Sequence, residues 1–479
     1  MQHRTTGRRL GPAVTGVLSA AALGADALLT APTARTAAAS GPTRATAGAR
    51  SPRRVRVGGG WGAYVCRSTG LVTTPFDRRT TDLYKYQDDR YGSVAGDLFR
   101  RRPGHCPVDG GHLFVFVCAG CGAELTVPLS RVALPAHAHQ KYGNGAQLPV
   151  LMEAGTFAED PEPWGPPWRR WEEVRPDEAV ARGVYAPVHA LSDGAPGSIV
   201  IAPGDARGTV LIPERAGGYC CGLDGGDGPN MACEACDLPV ASRIDDCSLW
   251  QAVWLAPGAV RRLVVDGADS VPPTWAELVE EGKSIPPFEP IATWGARLGP
   301  DRFWSWSPQW EAAVGRALAH LLAASQGRPV TVPDGLGKEV FQRALDALLP
   351  AGPPVRRAVL AGPGRPADAD ADIVLVPVHP RTGRMWLPSG PAASACPVPL
   401  PFGVWLWLAF PEPHLPFPAT GGMPDGVLRD DPPAPRPRYS FRADPDVFRH
   451  TLVRLPAVRD PWLGGILENL TRHMRAGIF

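Results

Sequence analysis

Lysine is scarce in this chain, and long hydrophobic runs are missing. Lysine occupies only four of the 479 positions, which leaves 45 of the 49 basic residues as arginine. Together with 54 glycines and 55 prolines, this bias is typical of GC-rich coding and does not indicate selection for guanidinium chemistry. A transmembrane helix needs about 20 consecutive apolar residues, and the sequence has no uninterrupted segment of that kind. We therefore expect no membrane partner.

Most of the chain carries no excess of positive charge. Residues 1–57 carry nine arginines and one acidic residue, Asp26, which gives that segment a charge of +8. The whole chain carries +2, so the remaining residues carry about −6. Nucleic-acid binding draws on clustered basic residues, and the basic triplet Arg100–Arg102 is a small cluster. Nucleic acid is therefore a disfavoured partner.

Familiar catalytic motifs are missing as well. The sequence shows no Ser-His-Asp arrangement, no metalloprotease helix and no dinucleotide-binding fingerprint. These absences argue against the common hydrolase and oxidoreductase classes. They leave open an enzyme that depends on a metal ion held by other residues.

Residues 1–57 contain no aromatic residue and allow two interpretations. Arg8, Arg9 and Leu10 precede an Ala-, Leu- and Val-rich run that imitates an export signal. Asp26 interrupts that run, and the run is only weakly hydrophobic. We favour a disordered tail, or translated sequence upstream of a true start near Val57. Closely spaced thiols also suit a reducing compartment, so we expect a cytoplasmic protein, with export as the alternative.

The most informative feature is a pattern that occurs twice. Residues 106–121 and residues 221–236 both read C-x2-D-G-G-x6-C-x2-C. A contiguous Asp-Gly-Gly match at a fixed distance from three matching cysteines favours an internal duplication over coincidence. Two cysteines separated by two residues can hold one tetrahedral metal ion from a tight turn, with metal–sulfur bonds of about 2.3 Å. The pattern therefore predicts two related metal-binding modules.

Each module resembles a zinc ribbon. In the first copy, the β-branched and aromatic run Leu113–Val117 predicts a strand between the turn and the cysteine pair. A usual ribbon has a second cysteine pair on the opposite arm, where this chain has Asp109 and Asp224 instead. That departure leaves the fourth ligand of each site open.

Structural zinc favours sulfur ligands, so we predict two four-cysteine sites and about two zinc ions per chain. The predicted metal ligands are Cys66, Cys106, Cys118, Cys121, Cys221, Cys233, Cys236 and Cys247. The alternatives for the fourth ligand are Asp109, Asp224, His105 and Cys220. An Asp before Gly-Gly more often caps its own turn, and disulfides are the competing interpretation of the cysteines.

His137 and His139 form a second candidate metal-binding pattern. Two histidines at positions i and i+2 of a strand face the same side and could chelate a metal ion. No glutamate or third histidine stands at a recognisable spacing from them. A polar surface pair is therefore the favoured interpretation.

The apolar pattern predicts an α+β protein. We expect a mostly-β domain at residues 58–256 that carries both ribbon-like modules, and a C-terminal α/β domain at residues 301–479. Residues 257–300 are predicted to be a linker with one short helix near Trp275–Glu281. Residues 242–255 are predicted to be helical, with Cys247 near the helix start, and Gly403–Phe410, apolar on both faces, is predicted to be a central strand.

Two segments resemble uncharacterised proteins of high-GC actinobacteria. They are TTDLYKYQDDRYGSVAGDLFRRRPGHCP and GGYCCGLDGGDGPNMACEACDLPVASRIDDCSLWQAVWL, and the resemblance covers roughly residues 61–260. It implies no activity and no catalytic residue. It does support a start near residue 57.

Four functions fit these patterns to different degrees. The favoured one is a zinc-stabilised binding or scaffold protein whose partner is unidentified, a protein being the expectation. The alternative is a zinc-dependent enzyme with an open site at one ribbon, where Asp109 or Asp224 is a labile ligand or a base. Nucleic-acid binding and a thiol redox switch that uses Cys220, Cys221 and Cys247 are less favoured.

Overall fold

The computed structural model describes residues 111–141, 149–218, 222–290, 304–411, 437 and 440–479. These residues form both helices and strands, so the protein is of mixed α and β structure, as predicted. Within the described residues, no helix combines the length and apolarity needed to cross a bilayer.

The first half of the described chain is mostly β structure. Its strands are β1 (Gly111–Cys118), β2 (Leu129–Arg131), β3 (Thr156–Asp160), β4 (Trp168–Arg170), β5 (Ala190–Ser192), β6 (Ser198–Ile201), β7 (Thr209–Leu211), β8 (Met231–Cys233), β9 (Pro239–Ile244), β10 (Ala252–Leu255) and β11 (Val260–Ser270). A short helix, α1 (Pro176–Ala181), lies between β4 and β5. The strand predicted at Leu113–Val117 is confirmed as part of β1.

Nine of these described strands form one large sheet, in the order β11-β1-β2-β3-β6-β10-β9-β8-β7. All neighbours are antiparallel except β2 and β3. Apolar residues cover both faces of the sheet. One face packs around Phe157 and Phe116, and the other packs around Trp250 and Val200.

The sheet is strongly curled, and this curl positions the two loops that carry the paired cysteines. The chain just after β1 pairs with β1 through Val117 and Glu124. The same stretch pairs with the residues that lead into β7, where Thr126 bridges Ala206. The far edge of the sheet therefore returns to the side of β1, and the end of β8 comes close to the end of β1.

The second half of the described chain contains most of the helices. They are α2 (Trp275–Glu281), α3 (Pro308–Ser325), α4 (Leu336–Leu348), α5 (Phe402–Ala409), α6 (Pro445–Leu452), α7 (Pro461–Glu468) and α8 (Leu470–Arg475). The strands are β12 (Phe288–Pro290), β13 (Trp304–Trp306), β14 (Val330–Thr331), β15 (Arg356–Leu360), β16 (Ile373–Val378) and β17 (Cys396–Pro401).

Strands β14 to β17 form a parallel sheet in sequence order, as expected for alternating helices and apolar strands. Helix α3 contributes Trp310, Leu318 and Leu321 to a continuous apolar core, and all three side chains are fully buried. Val184 and Leu191 also join this core, although they lie within the predicted N-terminal domain.

The prediction of a strand at Gly403–Phe410 was wrong, because the structure has helix α5 there. This segment is apolar on every side, and such a run does not distinguish a buried strand from a buried helix. Trp405 is fully buried and its indole N–H donates to the carbonyl of Ala361 at 2.9 Å.

The helix predicted at residues 242–255 was also wrong. The segment contains the end of β9, a turn, and β10, and Ala241 pairs with Leu255 across the two strands. Asp246 stabilises the turn because its Oδ1 accepts hydrogen bonds from the amide and the hydroxyl of Ser248. The stretch predicted to be a linker contains β11, which pairs along the whole of β1, as well as the predicted helix, confirmed as α2.

Candidate metal centre

Two loops with the same hydrogen-bond pattern carry four of the predicted ligands. One follows β1 and contains Cys118 and Cys121, and the other follows β8 and contains Cys233 and Cys236. In each loop, the amide of the first cysteine donates to the carbonyl five residues later at 2.8 Å, and the amide four residues later donates back to that cysteine's carbonyl at 2.9 Å. This pattern folds each cysteine pair into a tight turn.

The residue after the second cysteine has a positive φ in both loops. It is 81° at Gly122 and 58° at Asp237. Glycine adopts this conformation without strain, and aspartate is one of the few other residues that visit it. The sequence difference between the two turns is therefore compatible with one backbone conformation.

The curled sheet brings the two turns together. The Sγ atoms of Cys118 and Cys236 are 3.6 Å apart, as are those of Cys121 and Cys233. All four Sγ atoms lie within 4.8 Å of one another. A tetrahedral ion with metal–sulfur bonds of about 2.3 Å requires sulfurs about 3.8 Å apart. The four cysteines are thus placed to hold a single metal ion.

The group lies at the edge of the apolar core of the sheet. Cys118 and Cys233 are fully buried, whereas Cys121 and Cys236 are exposed. A guanidinium nitrogen of Arg261 lies 3.7 Å from the position that a Cβ would occupy on Gly122, which places a positive charge beside the first turn. Four thiolates around a divalent ion carry a net charge of about −2, which a nearby arginine would partly offset.

The pKa values of the cysteine thiols reflect how close the four sulfur atoms lie to one another. Burial would raise the pKa of Cys118, but hydrogen bonds from the amides of Cys121 and Gly120 and from neighbouring thiols lower it to about 7. The amide of Leu238 would lower the pKa of Cys236, yet the neighbouring thiols of Cys121 and Cys118 help raise it to about 12. The Cys118 thiol therefore loses its proton more readily than the Cys236 thiol, whose proton a bound divalent cation would displace.

The structure groups the predicted ligands differently from the sequence analysis. The two cysteine pairs, which were assigned to separate ions, lie in one group. Cys247 and Asp224 are described but do not belong to that group. Asp224 Oδ1 accepts a hydrogen bond from the amide of Gly226 at 2.8 Å, as in a turn that its own side chain caps.

Six other candidates lie outside the described residues, and the structure does not place them. They are Cys66, His105, Cys106, Asp109, Cys220 and Cys221. None of the six described cysteines forms a disulfide.

His137 and His139 do not act as a pair. They lie in a turn rather than a strand. His137 packs against Trp250 with ring centroids 4.3 Å apart, and burial lowers its pKa to about 3. His139 instead meets Glu162 and His450 in a second cluster of metal-binding side chains.

Glu162 and His450 were not predicted from the sequence. They are far from His139 and from each other in the chain, and neither belongs to a local motif. Burial would raise the pKa of Glu162, but the hydrogen bond with His450 and the charges of His450, Arg454 and His139 lower it to about 2. Burial lowers the pKa of His450, although its contact with Glu162 acts in the opposite direction.

Comparison of the chain with protein-family models, with curated proteins and with solved structures finds no match in any of the three. The resemblance to actinobacterial proteins therefore stays an expectation. The geometry of the side chains themselves therefore has to indicate the function.

Proposed function

We propose that the chain is a zinc-stabilised scaffold that binds another protein. In this proposal Cys118, Cys121, Cys233 and Cys236 share one structural Zn²⁺. The observation that supports it is the convergence of four sulfur atoms within 4.8 Å of one another. Four thiolates complete a tetrahedral shell and leave no position for a substrate, which is typical of structural zinc. The two ions expected from the sequence thus become one ion at this group.

The donor set favours zinc over other common metals. Thiolates prefer Zn²⁺, Cu⁺ and iron–sulfur clusters to Mg²⁺ or Ca²⁺, which take oxygen ligands. Two C-x2-C turns that meet as a tetrahedron are the usual arrangement of a four-cysteine zinc site. The low pKa of Cys118 adds a ready first thiolate for an incoming cation.

The ion would connect parts of the sheet that the sequence separates. Cys118 ends β1 and Cys233 ends β8, and the chain between them forms four of the other seven strands of the sheet. A zinc ion at their junction would close that long loop and hold the curled edge in place. Structural zinc sites contribute about 10 kcal/mol or more to folding, comparable with the whole stability of a typical domain.

The edge strand next to the second cysteine turn supports a protein partner. Strand β7 is an edge of the sheet among the described residues, and its Val210 and Leu211 are 43% and 46% exposed. Edge strands present unpaired backbone groups to which another chain can add a strand. Apolar side chains on such an edge favour a protein over a charged polymer as the partner.

Because one ion is proposed to bind to both cysteine turns, single and double cysteine variants can test the proposal. The zinc content of the purified full chain is measured for the wild type, for Cys121→Ser, for Cys236→Ser and for the double variant. We expect each single variant to lose the same one ion and the double variant to lose no more. Cys396→Ser, which changes a thiol of the C-terminal sheet, is the matched control and should keep the ion.

Two results would contradict this assignment. Losses that add up in the double variant would show that the two turns hold separate ions. A folded wild-type protein without a metal ion at these cysteines would remove the structural role of zinc.

A further inference from the structure

A second group of metal-binding side chains lies where the curled sheet meets helix α6. It consists of His139, Glu162 and His450, whose ligating atoms all lie within 4.8 Å of one another. His450 Nε2 is 3.0 Å from Glu162 Oε1, and the two imidazole rings are stacked with centroids 4.7 Å apart. Two imidazoles and one carboxylate form a ligand set that suits divalent transition metals.

Two charged residues support this group from outside. Asp160, at the end of β3, is 1% exposed, and its Oδ2 lies 3.2 Å from His139 Nε2. Both atoms are buried, and neither makes a well-oriented hydrogen bond with any described residue. Arg454 Nη2 is 2.5 Å from Glu162 Oε2, which leaves the other oxygen for the histidines. Outer partners of this kind orient the ligands of metal sites.

The backbone segments that carry the two histidines are fixed relative to each other. Gln140, beside His139, is 1% exposed, and its side-chain amide donates to Asp444 Oδ2 at 3.0 Å. Asp444 in turn caps helix α6, because its Oδ1 accepts from the amide of Val447 at 2.7 Å. Trp250 Nε1 donates to the oxygen of the same glutamine at 3.1 Å. His139 and His450 are thus held in place through buried hydrogen bonds, as a preformed site requires.

The group is open to solvent on one side. The side chains of His139, Glu162 and His450 are 22%, 26% and 28% exposed. Three protein ligands leave at least one coordination position for water, as in catalytic rather than structural zinc sites. This contrasts with the four cysteines, which would fill the shell of their ion.

We propose that His139, Glu162 and His450 bind a second divalent transition-metal ion, with Asp160 supporting His139 and water completing the shell. Such an ion exchanges more easily than one held by four thiolates, and an anionic or carbonyl ligand can take the place of its water. The competing interpretation is a metal-free ion-pair network between the sheet and α6.

The test uses the full chain with its cysteine group first filled with Zn²⁺, and the probe is Co²⁺. We expect one further equivalent of Co²⁺ to bind, with visible absorption but without the ultraviolet band that sulfur-to-cobalt charge transfer produces. His450→Asn and Glu162→Gln should each weaken Co²⁺ binding by about 100-fold, and Asp160→Asn by about tenfold. His473→Asn, which changes a histidine of α8 outside the group, should leave binding unchanged.

The outcomes separate this proposal from the structural zinc site. No further Co²⁺ binding by the wild type, or equal binding by His450→Asn, would overturn the second site and favour the metal-free network. Retention of zinc by His450→Asn shows that the variant is folded. Loss of the sulfur-bound ion in the cysteine variants tests the other site independently, because those ligands lie on different residues.

Discussion

The curled sheet and the C-terminal part of the chain, the described residues of 304–479 that we call the C-terminal unit, bury apolar surface in different ways. The sheet divides its apolar residues between two faces, one around Phe157 and one around Trp250. The C-terminal unit buries most of its apolar residues in one large core that includes Trp310, Phe341 and Trp405, and a small cluster around Val374 covers the other face of its parallel sheet. The four cysteines lie at the edge of the cluster around Phe157, which is much smaller than the C-terminal core. We infer that a bound ion supplies cohesion there that packing alone supplies in the C-terminal unit.

Removal of the ion should have the largest effect and should be confined to the sheet. A structural zinc site contributes about 10 kcal/mol or more to folding, so chelation should unfold the curled sheet. Hydrogen exchange measured by mass spectrometry should show loss of protection in β1, β8 and β9, with α3 and α4 still protected. Unchanged exchange in the sheet after chelation would show that its packing suffices without the ion.

A cavity in the C-terminal core should lower the stability of the protein without any loss of zinc. Trp310 is fully buried and its indole donates to the carbonyl of Ile285 at 2.8 Å. Trp310→Ala should lower the free energy of unfolding by about 3–5 kcal/mol while the zinc content stays at the wild-type level. Trp168→Ala is the control, because Trp168 is 37% exposed and its loss should cost much less. Urea unfolding and metal analysis measure both quantities.

Local patterns predicted the C-terminal unit better than the sheet. Helices α3 and α4 have apolar residues at helical spacing, with proline or glycine close to their ends, so their sequences carry a local helix signal. Helix α5 lacks such a pattern because it is apolar on every side. The spacing of its apolar residues therefore could not distinguish a helix from a strand. The helix predicted at residues 242–255 was wrong for a related reason. Ile244, Val253 and Trp254 fit helical spacing by coincidence, whereas cross-strand pairing decides their conformation.

The candidate sites depended on contacts that no local pattern contains. Cys118, Cys121, Cys233 and Cys236 were recognisable as candidate ligands from the spacing within each pair. Their union in one group follows from the curl of the sheet, which becomes visible only when Thr126 is seen to bridge Ala206. The second group was even harder to predict from the sequence, because Glu162 and His450 do not stand at a recognisable spacing from His139 in the chain.

A partly buried acid, Glu311, should make the C-terminal unit sensitive to alkaline pH. Burial, with the nearby charges of Asp444 and Glu289, raises the pKa of Glu311 to about 8. Its unfolded value is about 4.3, so its contribution to stability is present below that pH and is lost as pH rises through about 8. Glu311→Gln should therefore raise the free energy of unfolding by about 2–4 kcal/mol at pH 9 relative to the wild type, with a smaller gain at pH 5.

Denaturant unfolding of wild type and variant at both pH values checks this expectation. Glu277→Gln, which changes an exposed acid in the capping box of α2, is the control, because its pKa is lowered rather than raised by its hydrogen bonds with Thr274. A gain for Glu311→Gln that does not depend on pH would show that the carboxyl is already ionised at pH 5.

The smallest effects are expected for the two described residues that the sequence suggested as fourth ligands. Asp224→Ala removes the hydrogen bond with the Gly226 amide and should cost about 1 kcal/mol, because the side chain stabilises a turn. Cys247→Ser, in the turn between β9 and β10, should change stability by about 0.5 kcal/mol or less. Both variants should retain the full zinc content, because four sulfurs from the two paired turns already complete the shell. A lost ion in either variant would mean that the two turns do not share one ion and that the curled sheet is not closed by it.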